Sequence, residues 1–138
     1  MISDFEKDII ENLKNDLGFE GPKITQEQFD MMVDYIINDM NDNYNKHELI
    51  WRLCGCYEGF NYNNVIDIFV SSSDSYYISE LVFYVEGKID QEYLVNKMIE
   101  TNDIEFIKES LDFSFGLMEM YLEELHVKRL VEFCERNK

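Results

Sequence analysis

Proline is almost missing from this chain: the only one is Pro22, beside Gly21. Glycine is sparse as well, with six in all, and Gly18, Gly21, Gly59 and Gly87 fall between periodic segments. Proline breaks helix interiors and glycine weakens them, so a chain poor in both favours helices. Basic residues are few, with 12 Lys+Arg against 29 Asp+Glu and a formal charge of -17. Nucleic acid and anionic membrane surfaces both need a basic patch, so both are excluded as direct partners. The three cysteines, Cys54, Cys56 and Cys134, are an odd number at no disulfide-framework spacing. That usage fits a reducing cytosol, and a cytoplasmic location is expected. No run approaches the ~20 apolar residues of a membrane span. Met1-Ile2-Ser3-Asp4-Phe5-Glu6 lacks the basic and apolar regions of a signal peptide.

What remains is material for a core. Of the 138 residues, 46% are hydrophobic and 14% aromatic, which separates the chain from disordered sequences of similar charge. One domain, residues 1–138, is expected from the length and the lack of any linker tract. Capping patterns then divide it. Ser3 with Glu6 reads as a capping box before Phe5, Ile9, Ile10, Leu13 and Leu17, with Gly18 as the stop. Thr25 with Gln28 repeats the box before Phe29, Met32, Val33, Ile36, Ile37 and Met40. Lys46 to Tyr57 carries Leu49, Ile50, Leu53 and Cys54 at helical spacing. Val65–Val70 is an apolar run whose periodicity fits strand or helix; with helical neighbours and no second strand to pair with, a helix is expected. Asp74, Asp90 and Asp103 cap three further helices, the first stopped by Gly87. A last helix is expected from about Phe115 to Glu135. The fold class is therefore all-α, about eight short helices in antiparallel succession, forming either a helical-repeat-like stack or an irregular bundle.

The charge is spread over both halves of the chain yet locally uneven. From Ile24 through Asn45 there is no Lys or Arg, while Glu27, Asp30, Asp34, Asp39 and Asp42 are present. From Leu53 through Gly87 there is again none, with Glu58, Asp67, Asp74, Glu80 and Glu86. Glu27, Asp30 and Asp34 line one helical face and repel one another. An acidic surface serves solubility, but a small domain needs only about 2–8 net charges for that. The excess weakens the compact state by self-repulsion, and a basic protein partner makes sense of it. Tyrosines near these stretches, Tyr35, Tyr44, Tyr57, Tyr62, Tyr76, Tyr77 and Tyr84, are candidate anchors, because Tyr is enriched in interface hot spots. Tyr77 and Tyr84 read better as core, and Tyr76, pointing away from Tyr77, as accessible. The expected partner-binding set is Glu27, Asp30, Asp34, Asp39, Asp42, Glu58, Asp67, Asp74, Tyr76, Glu80 and Glu86.

Catalytic and metal signatures are missing. Cys54-Gly55-Cys56 is the only local metal-like spacing, and His47, His126 and Cys134 are too scattered to complete a zinc site. Asp39-x-Asn41-x-Asn43 opens like a calcium loop but has Tyr44 where Gly is required and Ile50 where Glu is required. There is no phosphate-binding glycine loop, nucleophile elbow or His-Glu-x-x-His. His47 beside Glu48 is an adjacency on a helix, not a dyad. No cofactor, metal or enzymatic activity is expected.

By length, charge, helicity and lack of active-site chemistry, the chain resembles bacterial toxin-immunity proteins, above all those of contact-dependent growth-inhibition toxins and nuclease bacteriocins. The resemblance is one of profile and carries over no residue. It implies a one-to-one inhibitor of a basic toxin, often a nuclease, that covers the active site or substrate groove. Two alternatives stand beside it. A phage-encoded nucleic-acid mimic acting on a defence nuclease would space its carboxylates like phosphates. A helical-repeat scaffold or small-molecule module would carry a deep apolar pocket.

Overall fold

In the computed structural model, which describes residues 2–113 and 116–137, the chain is all-α. The helices are α1 (Asp4–Asn15), α2 (Gln26–Asn38), α3 (Lys46–Cys56), α4 (Asn63–Ser71), α5 (Ser75–Tyr84), α6 (Gln91–Glu100), α7 (Ile104–Asp112), α8 (Leu117–Tyr121) and α9 (Glu124–Arg136). None of the described helices is long and apolar enough to cross a membrane.

The caps explain most boundaries. Thr25 and Gln28 form the reciprocal capping box. Asn45, Asp74, Asp90 and Asp103 each accept the amide three residues on, starting α3, α5, α6 and α7. These side chains satisfy helix amides that otherwise lack a partner, and the aspartates add a charge that the helix dipole favours. The Val65–Val70 run lies within α4, with Val65, Ile66, Phe69 and Val70 buried at helical spacing.

The helices form two layers. α1, α3, α5 and α7 pack in succession, each on the next, and α2, α4 and α6 do the same on the other side. α9 closes the second layer against α6 and α7, while α8 lies on α5 and α7. Of the two arrangements that the sequence left open, this is the stack. One buried cluster, from Ile9 through Phe29, Leu53, Phe69, Leu81 and Met98 to Cys134, draws on all nine helices.

Three local expectations are corrected. Ser3 does precede α1, but its hydroxyl donates to the Glu6 carboxylate instead of accepting a helix amide, so no capping box forms. α1 stops at Asn15, where the Asp16 carboxylate accepts the Gly18 amide at 2.9 Å, and Leu17 is left 57% exposed in the turn. The expected last helix is two helices, broken at Leu122 and Glu123 in extended conformation (Phe115 lies outside the described residues). Leu125, just past the break, is 64% exposed.

The reason for the break is tertiary. The Gln91 side-chain amide donates to the Gly87 oxygen at 3.0 Å and to the Tyr121 oxygen at 3.4 Å, and its carbonyl accepts the Glu123 amide at 2.8 Å. Gly87, at φ +73, leaves room for the Tyr121 carbonyl where any side chain would collide with it. Leu122 turns inward and is buried. A single glutamine thus substitutes for the helical bonds that the break gives up. Replacing Gln91 with Ala is expected to cost about 1–2 kcal/mol in urea unfolding and to speed hydrogen exchange at the Glu123 amide. An unchanged midpoint would remove Gln91 from this role.

Candidate functional site

The structure separates the expected site residues into those engaged across helices and those that face outward. Asp74 belongs to the first group. One carboxylate oxygen caps α5 through the Tyr77 amide at 3.0 Å, and the other meets His47 Nδ1 at 2.6 Å, tying the start of α5 to α3. An ionised carboxylate only accepts, so Nδ1 carries the proton and donates. The His47 ring also packs on Phe69 and Tyr77, with centroids at 5.0 and 6.1 Å. Burial pushes the Asp74 carboxyl up, but the bonds from His47 and the α5 amides outweigh it and hold the group below its ordinary range.

Asp67 and Asp42 are likewise engaged. Asp67 on α4 accepts the Tyr93 hydroxyl at 2.6 Å and lies 3.8 Å from the Lys97 ammonium, both on α6. The bond raises the Tyr93 phenol to about 12, so it stays a donor. Asp42, in the turn before α3, pairs with Lys14 of α1. The base-free stretches of the sequence are therefore not base-free in space.

On α2, Glu27 and Asp34 are exposed, whereas Asp30 is half-buried and accepts from Gln26 at 3.1 Å. Asp34 accepts from Asn64 of α4 at 3.1 Å, and Asp39 ends the helix as its exposed C-cap. These acids belong to the layer opposite α5. Glu58 and Glu86, from separate turns, line one recess with Tyr62, Tyr84 and Lys88.

The remaining pair, Tyr76 and Glu80, lies on α5, and here aromatic residues converge. Glu80 has Tyr76 and Tyr77 one turn before it and Phe83 and Tyr84 one turn after it, all on neighbouring helical positions. Tyr76 is 46% exposed, with its ring edge-on to Tyr77 and to Phe113 at 4.7 and 4.9 Å. Phe83 is 42% exposed and edge-on to Tyr121 at 5.7 Å, and Met120 on α8 is 70% exposed. From α3, the Trp51 indole donates to the Glu80 main-chain oxygen at 3.4 Å and lies on the Tyr84 ring with centroids 4.5 Å apart. That ring occupies the space over Gly55, which any side chain there would fill. A glycine inside α3 weakens the helix, and seating Tyr84 gives the reason for it.

Glu80 itself is half-buried, and burial alone pushes its carboxyl above the ordinary value. No cation among the described residues pairs with it. Tyr84 reaches from this face to the recess of Glu58 and Glu86, so Tyr76, Glu80, Tyr84, Glu86 and Glu58 share a continuous strip, while the acids of α2 stand apart. Tyr57 and Tyr62, candidates as anchors, are instead buried in the core. Trp51, Phe83, Phe113 and Met120 escaped the sequence reading. The signal for Phe83 lay in Tyr76-Tyr77-Ile78-Ser79-Glu80-Leu81-Val82-Phe83-Tyr84, where two aromatic pairs flank one glutamate at helical spacing.

Cys54 and Cys134 are buried, Cys56 is half-buried, and all three are free thiols. Among the described residues no three His, Cys, Asp or Glu side chains converge as metal ligands.

Two outcomes follow for the carboxylates. Asp74 titrates below its ordinary 3.8 in the fold, so its contribution to stability is present at neutral pH and is lost as pH falls through the folded value. Asp74→Ala should lose about 1 kcal/mol at pH 7 with the cap, and its disadvantage should shrink in thermal melts toward pH 3. A constant gap down to pH 3 would contradict this. Glu80 has the opposite sign, since a raised carboxyl makes the charged form a cost that grows as pH rises through its value. Glu80→Gln should melt at pH 7 at an equal or higher temperature, and a clear fall would mark Glu80 as structural. Compared with protein-family models, curated proteins and solved structures, the chain matches none.

Proposed function

We propose that the protein is an acidic immunity-type inhibitor that binds a basic protein toxin one to one and neutralises it by covering its active site or substrate groove. A nuclease is the toxin class whose basic phosphate groove suits an acidic partner best. The observation that carries this reading is the α5 strip, where a half-buried glutamate with no paired cation is set among exposed aromatic rings. Left unoccupied, such a surface is a cost: the carboxylate is partly dehydrated and the rings face water. A cationic, partly apolar surface laid on it relieves both. Aromatic anchors with a polar surround are the composition of binding hot spots.

The net charge of -17 supports the same reading through long-range attraction, which raises association rates and discourages wrong partners. A nucleic-acid mimic gains less support. Asp42, Asp67 and Asp74 are engaged in pairs within the fold, and the exposed acids, among them Asp8, Glu27, Asp34, Glu58, Glu92, Glu105 and Glu132, are scattered over most helices and turns instead of being gathered on one element. A small-molecule module would use a deep apolar pocket, and the recess of about 340 Å³ lined by Lys23, Ile24, Cys56, Tyr57, Glu58 and Phe60 is instead more polar than apolar.

The test is co-expression with the product of the adjoining reading frame. The chain should rescue growth from a toxic, basic product and co-purify with it one to one. Association should slow about ten-fold or more between low and physiological salt, while Tyr76→Ala should chiefly speed dissociation. A harmless neighbour, or association indifferent to salt, would count against the proposal.

A further inference from the structure

Resting on that reading, we propose that the α5 strip is built for one arginine of the partner, whose guanidinium lies on the Glu80 carboxylate between the rings of Tyr76 and Phe83. Residues 76, 80 and 83 follow one another at helical spacing, so their side chains emerge on one face, with Glu80 in the middle and the Cβ atoms of Tyr76 and Phe83 each about 5–6 Å from its own. Both outer rings are held by aromatic neighbours, Tyr76 by Tyr77 and Phe113 and Phe83 by Tyr121. They are therefore already positioned, and little side-chain freedom is lost when a partner arrives.

The chemistry selects the guanidinium over the ammonium. A guanidinium is planar, is weakly hydrated, stacks on aromatic faces and grips a carboxylate with two parallel bonds. An ammonium is a compact charge that holds its water, which a half-buried carboxylate between rings cannot replace fully. The fold itself contains a similar contact: the Arg52 guanidinium stands 5.7 Å from the Tyr44 ring centre and 3.7 Å from the Glu48 carboxylate. On the α5 strip the rings and the acid are present, and the cation is what a partner must bring. A second copy of the chain is a poor occupant, because two bodies each carrying -17 repel.

Trp51, the only tryptophan, reports on the site, since its indole bonds to the Glu80 main chain and its ring lies on Tyr84. The experiment titrates the full chain with hexa-arginine and hexa-lysine, equal in charge, at physiological salt, following Trp51 emission and binding heat. Hexa-arginine should saturate at about ten-fold lower concentration than hexa-lysine. Glu80→Gln and Tyr76→Ala, checked for intact helicity by circular dichroism, should each weaken hexa-arginine by about ten-fold. Replacing Glu27, Asp30 and Asp34 by their amides should change it by less than about two-fold.

Equal binding of the two peptides, or a Glu80→Gln chain that binds hexa-arginine like the parent, overturns the arginine site and leaves the basic-partner reading standing. Binding lost only in the α2 triple variant overturns it too, in favour of the opposite layer. A chain that sediments as a dimer dispersed by Tyr76→Ala overturns it in favour of a second copy. Arginine selectivity that persists when co-expression with the neighbouring product fails upholds the site and discards the toxin.

Discussion

A helix of about ten residues is not stable alone in water, so each element here exists only through what it packs against. α5 shows the constraint most plainly. It packs on α3, α4, α7 and α8, and buries Ile78, Leu81 and Val82 completely. A helix so central would be expected to be apolar all round, and nearly is: Tyr76, Tyr77, Phe83 and Tyr84 complete its circumference, with Glu80 set among them. The stack holds α5 rigidly and still leaves one strip of it facing outward. The aromatic and acidic face depends on that arrangement.

The stack also accounts for part of the charge. Asp74, Asp90 and Asp103 start helices, and many short helices need many caps. Asp42, Asp67 and Asp74 reach across helices to Lys14, to Tyr93 and Lys97, and to His47. These acids stabilise the fold where they stand. Glu80 is different in kind, since nothing among the described residues offsets the cost of burying its charge. Separating acids that the fold uses from one that it merely tolerates turns a bulk charge into a particular surface.

Local chemistry was legible in the sequence. Thr25 with Gln28, and Asp74, Asp90 and Asp103, announced their helices because a cap needs only its own next turn. Features made by distant residues were hidden. Gln91 bonding both sides of the α8–α9 break has no local signature, so the two helices read as one. His47 looked idle because its partner, Asp74, is brought to it only by the packing of α3 on α5. Likewise, a stretch without bases implied unpaired acids, although Lys14 and Lys97 enter from other helices. Tyr76 and Glu80 could be nominated from the sequence, while the contribution of Trp51 and Phe113 required the fold.

The central claim is that a basic partner binds on α5 and not on α2. Nuclear magnetic resonance of the chain, free and bound, tests it most directly through the ring signals of Tyr76, Phe83 and Tyr84 and the indole N–H of Trp51. The account expects these to show the largest changes, with the amides of Glu27, Asp30 and Asp34 nearly unmoved. Changes concentrated on α2, with the α5 rings and Trp51 unaltered, would contradict it.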